Sequence, residues 1–334
     1  MADSETPLVS VLLPVYNGDK YLRAAIESML SQSFADFELI VIDDGSTDRS
    51  AEVIRAFQDS RIRAYRQENQ GLAETLNRAI ELSRGNYLAR QDQDDVSLPQ
   101  RLENQVAYMN SHPHCGLVGT WAEIVTGTEA TGRVHRHASE NSLLKFDLLF
   151  DNPFVHSSVM LRKSAVKTVG LYSTDPDRQP PEDYELWSRL AREWDVANIP
   201  EILHIYREIP TSMSRDGASP FRNRVIDISV ENMRWLLNDG AGGGTIADVA
   251  ALNHAAYSRV DPRVRWSAIS RLVFDMADRV TASCGVSSSL LRRRAQAQLA
   301  GLRPHYRRFK SGQGVRRTIR DISATFGRFV SGWR

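Results

Sequence analysis

Cysteine is almost missing from this sequence: 334 residues hold two, Cys115 and Cys284, and no C-x-x-C pair. A disulfide framework and a thiolate zinc site are therefore excluded, and a reducing compartment with two incidental thiols is the simple reading. Long hydrophobic runs are also missing. The longest, Leu8–Val15 and Leu39–Ile42, fall far short of the roughly 20 residues a bilayer crossing needs. The opening MADSETPLVS is acidic and has no apolar core, which argues against an export signal and for the cytoplasm. Neither a G-x-G-x-x-G fingerprint nor a P-loop occurs, so a bound nucleotide would have to be held by other means. What is present, 42% hydrophobic and 25% charged residues, is ordinary for a globular protein of one large or two modest domains.

The net charge is only +1, but it is unevenly placed. Residues 291–334 carry twelve Lys and Arg against one acid, Asp321, while the remainder is acidic by ten charges. Such a split suggests a basic tail with its own partner. Within it Val315, Ile319, Ile322, Phe326, Phe329 and Trp333 recur at helical spacing, with Arg316, Arg317 and Arg320 largely off the stripe. That pattern suits a helix lying on an anionic membrane surface. It would equally serve a helix docked on the protein's own core or in a dimer. No nucleic-acid reading motif accompanies the charge, and no nucleic-acid partner is expected.

The first third of the chain alternates short apolar runs with helical patterns. VSVLLPVY, FELIVID, IRAYRQ and NYLAR read as strands, separated by helices over about 20–31, RSAEVIRAF and LAETLNRAIELS, the last closed by Gly85 as a C-cap. This alternation predicts a Rossmann-like, mostly parallel central sheet flanked by helices, in the α/β class. CGLVGTWAEIV and VHSSVMLR read as further strands, PPEDYELWSRLARE as a helix after a proline stop, and the chain from about Phe221 as helical.

Ligands of such sheets bind at the carboxyl ends of the strands. Three polar clusters fall there: Pro14-Val15-Tyr16-Asn17, Asp43-Asp44-Gly45-Ser46 and Asp92 to Asp95. If NYLAR continued extended, Asp92 and Asp94 would project together and repel by about 4 kcal/mol at ~4 Å and an effective dielectric near 20. A cation between them, or a proton on one, would relieve this; a solvated acidic loop is the plainer alternative. Glu182-Asp183 at a helix start could likewise serve only the helix dipole.

Taken in order, VSVLLPVYNGDKYLRAAIESMLSQSFADFELIVIDDGSTDRS, NQGLAETLNRAIELSRGNYLARQDQDD and EDYELWSRLA resemble the inverting family 2 glycosyltransferases with the GT-A fold, from about residue 8 to 215. The resemblance implies a GT-A domain over 1–220, with a nucleotide-sugar-binding half (1–111) and an acceptor-binding half (112–220). A helical C-terminal region (221–334) and its basic amphipathic tail, about 291–334, are not covered. It implies that Pro14, Tyr16 and Asn17 frame the nucleotide base and that Asp44 accepts the base N3–H, with Asp43 structural or exchanging roles with it. Gly71 and Asn77 would lie near the nucleotide, with Asn69 either there or in a plain turn. Asp92 and Asp94 would form the D-x-D motif, holding Mn²⁺ or Mg²⁺ against the donor diphosphate. Arg90 would reach a phosphate or form a structural ion pair. Asp183 would be the base that deprotonates the acceptor hydroxyl, oriented by Glu182. His156 and Trp187 would lie on the acceptor side.

The implied reaction is transfer from a nucleotide diphosphate-sugar, by default a UDP-sugar and alternatively a dTDP-sugar, to a glycan or lipid-linked glycan in cell-surface polysaccharide or lipopolysaccharide assembly. The enzyme would then be peripheral on the cytoplasmic membrane face. Transfer to a polyprenyl phosphate is the nearest alternative, since that acceptor is already anionic and needs no base. A nucleotidyltransferase would share sheet and metal, but PVYNGDKYL is a poor phosphate loop. One departure stands out: relatives often carry a His shortly after YR, and here Glu208-Ile209-Pro210 follow Tyr206-Arg207, which leaves a third metal ligand in doubt.

Overall fold

Val9 to Val15 are all buried, as a strand covered on both faces must be, and this strand (β1) lies at the centre of the sheet. The computed structural model describes residues 6–209, 221–238 and 243–312. After β1 come α1 (Leu22–Leu30), β2 (Phe37–Asp44), α2 (Ser50–Arg55), β3 (Ile62–Gln67), α3 (Leu72–Leu82), β4 (Tyr87–Arg90), β5 (Val96–Ser97) and α4 (Arg101–Ser111). The chain continues through β6 (Cys115–Thr126), β7 (Glu129–His135), α5 (Asn141–Asp147), a 3₁₀ turn at His156–Ser158, β8 (Met160–Arg162), α6 (Lys163–Val169), α7 (Glu182–Glu193) and β9 (Asp195–Glu208).

The sheet runs β3-β2-β1-β4-β8-β6-β9-β5, with β7 paired to β6. The βα half is parallel, with Val9 opposite Phe37 and Tyr87, and β8 enters antiparallel against β4. Every other residue of β1 packs with Ile26 and Met29 of α1 and Leu102 and Val106 of α4 in one apolar cluster. The expected α/β class with a mostly parallel sheet and flanking helices is what forms.

Three local expectations change. Gly85 is not a helix cap: α3 ends at Ser83, and a Cβ on Gly85 would lie 2.7 Å from Ser10 N, so glycine is needed for close approach to β1. VHSSVMLR is a strand only over Met160–Arg162, because His156–Ser158 turn as a 3₁₀ segment. NYLAR does not run on extended: β4 stops at Arg90, and Gln93 and Asp94 form a turn.

By its internal contacts the chain divides into two units. The first contains the sheet. The second contains Lys145–Asp151 and the helices α8 (Phe221–Leu237), α9 (Gly243–Asn253), α10 (Trp266–Cys284) and α11 (Ser288–Lys310). The short segment belongs with the helices because Ser229 and Asn232 of α8 donate to the Leu149 and Leu148 carbonyls, and Arg294 of α11 pairs with Asp147 at 2.5 Å. The apolar face of α11 (Leu291, Ala295, Leu299, Leu302, Phe309) is buried, while its arginines are exposed. No described helix is long and apolar enough to cross a membrane. The apolar stripe from Val315 to Trp333 lies outside the described residues.

Candidate active site

The acidic loop after β4 is wired in place from below. Asp95 is fully buried, with Oδ1 accepting from Arg207 N (2.8 Å) and Oδ2 meeting Ser157 Oγ and His204 Nε2. Arg207 Nε donates to the Asp94 carbonyl at 2.7 Å. Arg101, also fully buried, binds Gln91 Oε1, Ser97 Oγ and the Arg90 and Val159 carbonyls. The residues that shape the loop thus come from the nearby start of α4 and from the 3₁₀ turn and β9, which are more than 60 and 100 residues away in sequence.

Asp92 and Asp94 stand at the mouth of this loop, partly exposed. Arg90 is buried at 1% exposure and donates to Asp92 Oδ1 at 2.6 Å, so it presents no surface to a phosphate. The structural ion pair, not the phosphate contact, is what forms. Burial and the neighbouring Asp92 and Asp95 push the Asp94 carboxyl up to about 7. Two crowded carboxylates beside one guanidinium are a donor set that suits a hard divalent cation. Among the described residues no cluster of three or more metal-ligating side chains occurs.

At the ends of β1 and β2 the expected base-framing residues divide. Tyr16 is half exposed, with its backbone held at both N–H and C=O by Gln93. Asn17 has a left-handed φ of 50° and clamps the facing loop: its Oδ1 accepts from Thr47 N and its N–H donates to Ser46 Oγ. Pro14 is buried within β1, opposite Ile42. Asp44 is fully engaged, since its oxygens accept from Gln67 Nε2, Gln70 N and Gly71 N and thereby close the loop before α3. Asp43 Oδ1 accepts from Ser46 N, and its buried Oδ2 pairs with Arg66 Nε at 3.5 Å. Gly71 caps α3 at φ 88° with open space around it. Asn77 is spent elsewhere, because both ends of its amide bind the Tyr172 backbone. A cavity of about 560 Å³ lined by Gly45, Arg66, Gln67, Glu68 and Asn69 opens beside β3.

Glu182 and Asp183 begin α7. Asp183 accepts from Tyr184 N at 2.7 Å and from Asn152 Nδ2 at 2.8 Å and remains partly exposed, whereas Glu182 is buried. Burial above all raises both carboxyls, Glu182 to about 7 and Asp183 to about 6, and Asp92 adds to both from 90 residues away in sequence. His156 sits beside them, its Nδ1 3.7 Å from Glu182 Oε1 and its Nε2 3.1 Å from the Tyr172 hydroxyl; burial keeps it neutral. Trp187, expected to face an acceptor, is completely enclosed and packs edge-on against His156 and Tyr172. Gln93, Asn152 and Arg101 escaped the sequence reading, since single polar residues carry no pattern until their partners are known.

Comparisons with known proteins agree with this architecture. The family described as glycosyl transferase family 2 matches residues 10–170. A putative glycosyltransferase, EpsE of Bacillus subtilis (strain 168), is 34% identical over 232 residues, covering 68% of this chain and 79% of that protein. The O-antigen biosynthesis glycosyltransferase WbnJ of Escherichia coli is 33% identical over 208 residues, covering 60% and 79%. Among solved structures, S. aureus TarS 1–349 in complex with UDP-GlcNAc superposes with a TM-score of 0.60 at 17% identity, covering 91% of each chain.

Proposed function

The chain belongs to glycosyl transferase family 2 and is a glycosyltransferase of GT-A fold, and on that premise we propose a metal-dependent, inverting transfer of a sugar from a nucleotide diphosphate-sugar to a glycan acceptor. The observation that carries the reading is that the 3₁₀ turn joins two acidic groups distant in sequence: Ser157 Oγ donates to Asp95 of the Asp92–Asp95 loop, and His156 Nδ1 lies 3.7 Å from Glu182 Oε1 at the start of α7.

Each group has a part in the chemistry. Asp92 and Asp94 would hold Mn²⁺ or Mg²⁺, which when bound neutralises the departing diphosphate. Tyr16 offers a stacking face to the base, a contact of about 1–3 kcal/mol. One of the two acids at the end of β2, Asp44 or Asp43, would accept the base N3–H, as the sequence resemblance implies. A uracil base supplies that N–H, and a UDP-sugar is the donor bound by TarS, which supports UDP over other carriers. Asp183 accepts the proton of the acceptor hydroxyl as the new C1–O bond forms and the C1–O bond to the diphosphate breaks, with Asn152 aiming the carboxylate and Glu182 and His156 behind it. WbnJ is named for O-antigen biosynthesis, which supports a polysaccharide or lipid-linked acceptor. The basic face of α11 and the basic sequence beyond it suit an anionic membrane on which such an acceptor would be carried.

Calorimetric titration of UDP with and without Mn²⁺ into wild type and Asp94→Ala tests the donor site. Metal-dependent binding lost in the variant is expected, and binding indifferent to metal would overturn the reading. Asp183→Asn should keep that binding while nucleoside diphosphate release with an acceptor falls about 10²–10⁴-fold.

A further inference from the structure

We propose that Gln93, the residue between the two aspartates of the D-x-D loop, is a positioning residue that latches the base end of the donor site to its metal end, so that filling one end tightens the other. This rests on the donor-site reading above.

The geometry is that of a missing strand. Pairing of β1 with β2 ends at Val15 opposite Asp43, and pairing with β4 ends at Leu12 opposite Arg90. Tyr16 thus leaves the sheet with its backbone uncommitted on the β4 side. The Gln93 side chain takes the place of a neighbour: Tyr16 N–H donates to Oε1 at 2.9 Å, and Nε2 donates to the Tyr16 carbonyl at 3.0 Å. Only one orientation of the amide satisfies both bonds. The Gln93 backbone lies in the turn between Asp92 and Asp94, so the residue that sets Tyr16 moves with the two carboxylates.

Gly18 carries the second, independent observation. A Cβ there would come within 2.3 Å of Gln93 Oε1, although the Gly18 φ is not left-handed. The three nearest atoms such a Cβ would meet all belong to the Gln93 side chain, so glycine at 18 leaves the room that this side chain occupies. A cation drawing Asp92 and Asp94 together fixes the turn, and through Gln93 it fixes the ring that faces the base. By linkage the base must favour the cation equally.

The test needs a ligand that fills the base end and has no phosphate to touch a cation. Uridine is titrated with and without Mn²⁺ into wild type, Gln93→Ala, Gly18→Ala and the double variant, with UDP titrations and thermal unfolding alongside. Mn²⁺ is expected to strengthen uridine binding about fivefold or more in wild type. Either single variant should bring that ratio to one while UDP still binds in a metal-dependent way and the melting temperature holds. In the Gln93→Ala background, Gly18→Ala should lose most of its effect on that ratio, because the Gln93 amide it would strike is gone. Wild-type uridine affinity indifferent to Mn²⁺, an unchanged ratio in both variants, or a full Gly18→Ala effect without Gln93 would each overturn the latch. Loss of metal-dependent UDP binding in wild type itself would instead remove the donor-site reading and the latch with it.

Discussion

At the residue scale the structure separates acids that a one-dimensional reading treats alike. Asp43 and Asp44 are adjacent, yet Asp44 closes the loop before α3 through Gln70 N and Gly71 N, while Asp43 holds Ser46 N and pairs with Arg66. Asp92, Asp94 and Asp95 sit within four residues, and only Asp95 is saturated by Arg207, Ser157 and His204. Asp183 and Glu182 titrate as a pair, with carboxyls raised to about 6 and 7. The base must be ionised to act, so activity should fall as pH drops through this window, with apparent pKa values belonging to the pair. Asn152 donates to the Asp183 carboxylate and thereby favours its charged form. Asn152→Ala should therefore move the acid limb of the pH–rate profile upward, by about one unit or less, with little change at pH 8.5. A limb that stays in place would show that Asn152 does not tune the base.

At the element scale, β1 to β4 and their helices were legible because apolar periodicity and short loops are local properties. The 3₁₀ turn at His156–Ser158 was not, since its residues alternate as a strand does while Ser157 and Ser158 are turned inward to bind Asp95 and the Val155 carbonyl. Gly85 likewise looked like a cap by its position after α3, and its need is steric contact with a strand 75 residues earlier. Gly85→Ala should destabilise the protein by about 1–3 kcal/mol in chemical denaturation, since backbone atoms of β1 cannot yield as a side chain would. Arg101 anchors α4 under the acidic loop through a planar fork that lysine cannot copy. Arg101→Lys is expected to cost about 3 kcal/mol or more, by leaving buried acceptors unmatched. A variant with unchanged denaturation midpoint would refute that.

At the scale of the whole molecule, charge is sorted along the chain. The region from 291 onward is strongly basic, while the rest is acidic. Within α11 two arginines are paired with acids, Arg292 with Asp278 and Arg294 with Asp147, while Arg293, Arg303, Arg307, Arg308 and Lys310 are also exposed along the helix. Full-length protein should co-sediment with vesicles containing anionic lipid at low salt and be released as salt rises toward about 0.5 M, where the Debye length shrinks to a few ångströms. Equal binding to neutral vesicles would assign the attachment to the apolar stripe beyond residue 314 instead of to charge.

The sequence by itself determined the α/β class, the family and the places where chemistry collects. Strand-end clusters and helix starts are fixed by local propensity and by neighbours a few positions away. Tertiary structure alone decided what each side chain in a cluster holds: Asp44 the loop before α3, Asp43 Ser46 and Arg66, Asp183 Asn152, Gln93 the Tyr16 backbone, Asn77 the Tyr172 backbone. Those outcomes depend on hydrogen-bond partners and close approaches supplied from tens of residues away, and a donor or acceptor is available to a ligand only after the fold has taken what it needs.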